Sequence, residues 1–487
     1  LVPNRFDFGY GLSPPLVDVA KTFQPDLILT VDNGIAAIDG VAAARAAGID
    51  VVVTDHHLPG ETLPDALAIV NPNQQGCDFS SKAACGCAVA FYLMLALRAK
   101  LEKLKWFRGA APNLASLIDL VALATVADVV PLDRNNRILV EQGLRRIRAG
   151  HGQVGLQALL RVAGKDPSKV VSSDFGFIVG PRLNAAGRLD DMSAGIECLI
   201  TDDPNTASML AGQLDGLNRD RRQIEQVMQE EARALLDNAE QQAFPDHGIS
   251  LFHQDWHQGV IGILASRIKE KYHRPVIAFA PSSLGDGGTE QGNQQGNDDQ
   301  ASADNITIKG SARSIPGLHI RDALDRIDRT HPGMIEKFGG HAMAAGLSIK
   351  QRDYEKFSTV FDQICQQLLT PEQLDAVIET DGELKDQEIT LDVAQQLRWA
   401  SPWGQEFPEP LFEGKFRLIQ QKIVGQRHLK LMLQSLTSTT CYDAICFNVD
   451  VNVWPNFDRE TVYCVYQLDV NEFRGQANVQ LLIRHLD

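Results

Sequence analysis

Asp55-His56-His57 sets a carboxylate and two imidazoles directly after Val51-Val52-Val53-Thr54. A β-branched run of that kind reads as a short buried strand. The three polar residues therefore emerge at its carboxyl end, where open parallel α/β sheets keep their ligand sites. The arrangement occurs twice. Upstream, Leu27-Ile28-Leu29-Thr30-Val31 is another apolar strand, and it ends at Asp32-Asn33-Gly34. Between the two, Ala36 to Ala47 is alanine-rich and helical in propensity, with Gly48 as its stop. Strand, helix, strand at this length makes one βαβ unit. It lines Asp32 up with Asp55, His56 and His57 along one rim. Mixed carboxylate and imidazole donors suit manganese, iron or zinc, so the rim is a candidate metal site. A plainer reading competes: an Asp after a strand is commonly a helix cap or turn former, and Asn33-Gly34 is ordinary turn chemistry. Two adjacent imidazoles have no common structural task, which keeps the metal reading open.

The elements that must carry this rim sit in a chain of 487 residues, long enough for two to four domains. Apolar content of 44% and charged content of 22% are those of a soluble globular protein. The longest apolar run, Cys87 to Leu97, stops at Arg98 and is too short to span a bilayer, so no membrane partner is expected. Eight cysteines at irregular spacing point to reduced thiols and a cytoplasmic location rather than a disulfide scaffold. Cys77, Cys85 and Cys87 lie close in sequence, but they form no CxxC pair and the last two lead into an apolar helix, so a zinc knuckle is not expected. The net charge of −16 at first argues against nucleic acid. Its distribution weakens that objection, because segments 282–305 and 371–392 together hold −12 of it. What remains is close to neutral and includes basic clusters at Arg145, Arg146, Arg148 and at Arg219, Arg221, Arg222.

Residues 1–200 read as an α/β domain, with helical stretches at Ala88–Lys103 and in the apolar region Asn113 to Val130 that contains Asp119 and Asp128. Pro204 follows the capping acid Asp203, and a mostly polar helical pattern runs from there to about residue 242. A helix of that length and polarity commonly bridges two domains. A second α/β pattern begins at 248–252, with a helix at Ile261–Lys271 and a strand at Val276–Ala280. The Gly/Gln/Asn-rich acidic insertion 282–305 has the composition of a disordered surface loop. Beyond Pro371, alternating segments at 415–419, 429–434, 461–466 and 479–483 predict a small antiparallel barrel. Phe416, Arg417, Lys422, Arg427, Lys430, Phe473 and Arg474 interleave aromatic and basic residues there, a mixture that suits single-stranded nucleic acid. An ordinary barrel core with a solvated face would look similar.

The stretches VDNG (31–34), TDHH (54–57) and ATVADVVPL (124–132) resemble the DHH phosphoesterase superfamily. GPRLNAAGRLDD (180–191), GSARS (310–314), FGGHAMAAG (338–346) and NEFRG (471–475) narrow the resemblance to its bacterial single-strand-specific 5′→3′ DNA exonucleases. The likeness covers essentially the whole chain except 282–305. It implies a parallel-sheet DHH domain over 1–200, a long connecting helix over 201–243, a smaller α/β DHH-associated substrate domain over 244–370 and an all-β OB-like barrel over 371–487. It further implies that Asp32 bridges two metal ions, that His56 and Asp128 ligate one of them, that Asp55 orients His56, and that His57 faces the scissile phosphate. Arg313, Ser314, Gly339, Gly340 and His341 would hold substrate phosphates, while Arg182, Asn184 and Arg188 would contact DNA. The long helix would set a cleft width that admits one strand and rejects a duplex.

The implied cofactor is Mn2+, with Mg2+ as an alternative, and the implied products are nucleoside 5′-monophosphates released in DNA repair and recombination. Single-stranded DNA is the expected partner, with a single-strand-binding protein and a helicase beside it. One departure is plain. The superfamily carries an acidic motif of the DxDADG type upstream of VDNG, and nothing in residues 1–31 matches it. The expectation is a chain lacking that first strand, with impaired catalysis. Two other functions stay in view: a DHH phosphoesterase for short oligonucleotides or cyclic dinucleotides, and a non-catalytic replication scaffold. A nucleotide-cofactor dehydrogenase is excluded, because no GxGxxG follows a strand.

Overall fold

A computed structural model describes residues 1–2, 8, 11–189, 191–240, 246–282, 306–473 and 475–487. The acidic insertion 282–305 lies outside the described residues except for Ser282, as do Asp7, Gly9, Tyr10, Asp190 and Arg474. The chain divides into two compact units, one of Tyr10–Pro181, Leu199–Ser208 and Ile378–Asp487, the other of Leu1–Gly9, Arg182–Cys198 and Met209–Val377.

In the first unit, β1 (Leu27–Val31), β2 (Asp50–Thr54) and β3 (Ala68–Val70) form a parallel sheet in the order β1-β2-β3. The valine run of β2 explains its central place, since Val51 and Val53 are fully buried between the flanking strands and helices. The helix Ile38–Ala46 makes the β1-to-β2 crossover, and Gly48 follows it at φ +76. Helices Gly86–Lys103, Ile118–Ala127 and Arg134–Arg148 close over the sheet around a core of Ala88, Phe91, Val121 and Leu139. Ile118–Ala127 is apolar nearly all round, as a helix sunk among others must be.

The second unit holds a mixed sheet of β4 (Ile249–Phe252), β5 (Val276–Pro281), β6 (Thr307–Arg313), β7 (Lys337–Gly340) and β8 (Ala344–Lys350) in the order β4-β5-β6-β8-β7. Its core packs Phe279, Phe357, Phe361 and Ile327 between sheet and helices. The segment read as a long helix is continuous from Pro204 to Glu240, about 55 Å at 1.5 Å per residue.

The first unit also contains β9 (Phe412–Val424), β10 (His428–Ser435), β11 (Cys441–Cys446), β12 (Thr461–Phe473) and β13 (Gln476–Leu486), which close into a barrel in the order β10-β11-β13-β12-β9. The expected barrel is corrected in one respect. It is not wholly antiparallel, because β11 and β13 pair in parallel. The strand β12 lies between them in sequence and pairs with β13 and β9, so closing the barrel sets β11 beside β13, a pairing that no local sequence pattern encodes.

Candidate metal centre

Each residue of the rim is placed by backbone chemistry that can be read locally. Asp32 leaves β1 at φ +63, a left-handed conformation that Asp adopts more readily than most side chains. Its N–H donates to the Thr54 carbonyl at 3.0 Å, which ties the end of β1 to the end of β2. Thr54 adds a second tie, its hydroxyl donating to the Thr30 carbonyl at 2.6 Å. Gly86 opens the helix Gly86–Lys103 directly against Asp32, where a Cβ would stand 2.6 Å from the Asp32 Cα. Only glycine allows that approach.

Asp55 is 1% exposed and saturated with donors. Its Oδ1 accepts from the backbone N–H of His56 at 2.7 Å, from that of His57 at 3.2 Å and from the His57 ring Nδ1 at 2.7 Å. Its Oδ2 accepts from the Ile35 N–H at 3.0 Å. Burial opposes ionisation of this carboxyl, but the bonds from His57 and Ile35 outweigh it and hold Asp55 below the usual carboxylate range. The same bond from the other side raises His57, against the opposing effect of burial and with help from the Asp55, Asp32 and Asp128 charges.

His56 Nε2 lies 3.0 Å from Asp32 Oδ1 and 3.4 Å from Asp128 Oδ2. This ring nitrogen is buried and has no hydrogen-bond geometry to either oxygen. Asp128 caps the helix Ile118–Ala127, and burial, reinforced by Asp32, pushes its carboxyl up to about 6 even though His56 and His57 pull it down. One ligand atom each from Asp32, His56 and His57 lies within 4.8 Å of the others. Carboxylate oxygens and an imidazole nitrogen that converge without hydrogen bonding each other are a donor set shaped for a cation. The residues fit a divalent metal.

Asp55 is bonded through its side chain to the His57 ring and reaches His56 only at its backbone, so the expectation that it orients the His56 imidazole is corrected. Asn71 and Asn73 escaped the sequence reading. Asn71 Nδ2 donates to the His57 carbonyl at 2.9 Å and Asn73 Nδ2 to the His56 carbonyl at 2.5 Å. The signal was present: Asn71-Pro72-Asn73 follows the apolar Ala68-Ile69-Val70, repeating on β3 the strand-then-polar pattern of β1 and β2.

In the second unit, Arg313 ends β6 with its Nη1 donating to Ser311 Oγ and to the Ala312 carbonyl. Its guanidinium packs on Gly262 in the first turn of Ile261–Tyr272, where a Cβ would meet Nη2 at 2.8 Å. Among the described residues it forms no ion pair. Burial depresses its pKa. His341 is exposed, and Gly339 has open space where its Cβ would be.

Ser314 does not fit the substrate role expected of it, being 1% exposed with its hydroxyl donating to the Leu318 carbonyl at 2.7 Å. Gly340, at φ +152, is required by its own hairpin, since a Cβ would stand 2.4 Å from the Ala345 Cα. Arg182 and Asn184 lie on the helix Gly180–Leu189. Arg182 is buried and bonded to Asp215 through Nε at 3.0 Å and Nη2 at 2.8 Å, which withdraws it as a DNA contact. Asn184 is exposed, and Arg188 donates to the Gly259 carbonyl at 2.9 Å. On the barrel, Phe416 is a core residue and leaves the interleaved face, whereas Arg417, Lys422 and Arg427 are exposed or partly exposed.

Comparison with known proteins matches three family signatures: the DHH family, N-terminal domain, over residues 1–125; the DHHA1 domain over 246–367; and the RecJ OB domain over 380–485. The single-stranded-DNA-specific exonuclease RecJ of Dickeya dadantii is 55% identical over 100% of this chain and 81% of its own length. The crystal structure of RecJ in complex with Mn2+ from Thermus thermophilus superposes with a TM-score of 0.75 at 28% identity, covering 97% of this chain and 63% of that one. RecJ in complex with Mg2+ from the same organism gives a TM-score of 0.69 at 27% identity, over 95% of this chain and 61% of that one.

Proposed function

Because the chain belongs to the RecJ family of single-stranded-DNA-specific exonucleases, we propose that it hydrolyses single-stranded DNA from the 5′ end in a reaction that depends on a divalent metal. The observation that carries this reading is the convergence of Asp32 Oδ1, His56 Nε2 and Asp128 Oδ2 at one rim. Asp32, His56 and Asp128 would hold the cation. When bound, manganese, or magnesium in its place, neutralises charge on the phosphoryl oxygens and lowers the pKa of the attacking water.

The remaining work falls to the chain. Asp55 stays ionised and fixes the His57 ring through Nδ1, so His57 acts through Nε2. Held in this way, His57 faces the scissile phosphate. Water adds to phosphorus and gives up a proton, the bond from phosphorus to the 3′ oxygen breaks, and that oxygen takes up a proton in turn, so that one water is consumed. The product is a nucleoside 5′-monophosphate.

Arg313, Gly339 and His341 supply contacts to substrate phosphates, and Asn184 and Arg188 further contacts to the strand. These groups meet backbone rather than base edges, so little sequence preference is expected. Arg417, Lys422 and Arg427 on the barrel add a screened, salt-dependent attraction for the strand. Among the described residues no helix is long and apolar enough to cross a membrane. The reading extends to a cytoplasmic enzyme that takes its strand beside a helicase and a single-strand-binding protein, in repair and recombination.

The test uses matched oligonucleotides labelled at the 5′ or the 3′ end, single-stranded and duplex, with manganese. Mononucleotides released first from the 5′ label of the single strand, with the duplex spared, are the expected result. Release from the 3′ label, or equal attack on the duplex, would overturn the proposal.

A further inference from the structure

The loop that carries Asp128 is strained, and part of what holds it comes from the far end of the chain. Val129 follows Asp128 directly and sits at φ +58. A β-branched residue in the left-handed region is an outlier that persists only where its surroundings over-determine it. Val129 itself is 64% exposed and cannot be held by its own packing. The restraint lies downstream, where Val130 and Leu132 are buried.

Leu132 is gripped by residues 403–407, between the helix Leu391–Ala400 and the barrel. Its N–H donates to the Gln405 carbonyl at 2.8 Å. Its carbonyl accepts from Arg137 Nη1 at 2.7 Å, and the Arg137 guanidinium lies 4.1 Å over the Phe407 ring. Gly404 gives the Leu132 side chain its room, since a Cβ there would stand 2.7 Å from Leu132 Cδ1.

The gripping segment is itself stiff. Gly404 and Phe407 exchange two backbone hydrogen bonds around Glu406 at φ +54, and Phe407 stacks on Trp403 at 5.2 Å. The Trp403 carbonyl is fixed by the Ser172 hydroxyl at 2.7 Å.

We propose that the segment Trp403–Phe407 is a brace that positions Asp128 through Leu132 and the strained Val129. Gly404, Gln405 and Phe407 are then positioning residues of the metal site, and the C-terminal region supports the chemistry as well as the strand. The proposal rests on the reading of Asp128 as a metal ligand. Removing 371–487 should accordingly weaken metal binding on its own account, beyond any loss of affinity for long strands.

The experiment measures Mn2+ binding by titration calorimetry, without DNA, on wild type, Gly404→Val, Asp128→Asn, and Gly404→Val combined with Val129→Gly. Valine at 404 crowds Leu132 and should weaken Mn2+ about tenfold, the loss typical when the support of a metal ligand is disturbed. Glycine at 129 relieves the strain that the brace restrains, so the double variant should regain affinity. A general packing defect would not be repaired by that second change.

If Asp128→Asn binds Mn2+ as wild type does, the ligand reading fails. If Asp128→Asn loses binding while Gly404→Val keeps it, or if Val129→Gly restores nothing, the brace is overturned. Should Gly404→Val fold poorly, Phe407→Leu, which removes the ring under Arg137, takes its place and is repaired by Val129→Gly in the same way.

Discussion

Asp55 Oδ1 accepts the Nδ1 proton of His57 at 2.7 Å together with the backbone N–H groups of His56 and His57, while its Oδ2 accepts from the Ile35 N–H at 3.0 Å. On the proposed reading the acid is a fixed anchor whose effect on catalysis runs through the tautomer of His57. Asp55→Asn keeps the shape but can present an amide to Nδ1. Turnover should fall about 10- to 100-fold, the usual cost of losing such a support. Steady-state kinetics with saturating manganese checks this, and unchanged turnover would remove Asp55 from the mechanism.

His341 belongs to the substrate side of the reading, so His341→Ala should leave Mn2+ affinity as it is. Loss of one charge-assisted hydrogen bond to phosphate, about 1.5–3 kcal/mol, predicts a fall of at least about tenfold in kcat/KM. Calorimetry and kinetics on the same preparation separate the two effects. Loss of Mn2+ binding would make His341 a ligand instead.

Arg182 is committed to Asp215 inside the second unit. Arg182→Met should cost about 1–3 kcal/mol of stability by leaving Asp215 Oδ1 without its buried donor, while Arg219 still bonds Oδ2. Affinity for single-stranded DNA, measured by polarisation without metal, should not change. A stable variant that binds DNA poorly would restore Arg182 as a DNA contact.

Glu409 lines a cavity of about 170 Å³ together with Arg148, Trp399, Trp403 and Asp469. Burial, reinforced by Asp469, raises its carboxyl to about 7, against the pull of Arg484 and Arg398. Its folded pKa lies above its unfolded value of 4.5, so the folded state binds the extra proton. That contribution is complete below pH 4.5 and is lost as pH rises through 7. Glu409→Gln mimics the protonated form and should be more stable than wild type at pH 8.5, by roughly 1–2 kcal/mol after solvent screening, with the gap closing towards pH 4.5. Thermal melts across that range check it, and a gap that widens as pH falls would contradict the assignment.

Much of the rim was legible because it is built from local signals. Leu27–Val31 forms the strand expected of it, Asp50–Thr54 begins one residue before the run that announced it, and Asp32 with Asp55-His56-His57 stands at the two carboxyl ends. The long helix was equally local, carried by a polar periodic pattern and the Pro204 start. What failed were side-chain destinations. Asp55 could bond either neighbouring imidazole, and only the turn geometry selects His57. Ser314 and Gly340 sit in motifs that suggest substrate contact, yet their neighbours Leu318 and Ala345 claim them. The grip of Gln405 on Leu132 joins residues far apart in sequence, and nothing around either residue announces it.

The proposed metal site depends on Asp32, His56 and Asp128 acting together. Asp32 sits at φ +63, so asparagine is the informative replacement: it tolerates the left-handed backbone, keeps the packing against Gly86 and removes only the charge. The decisive measurement is a calorimetric titration of Mn2+ into wild type and Asp32→Asn, with melting temperatures recorded on both. Asp32→Asn is expected to melt no lower than wild type, because the repulsion between Asp32 and Asp128 is relieved, and to show no binding at Mn2+ concentrations that saturate wild type. Wild-type affinity in the folded variant would contradict it.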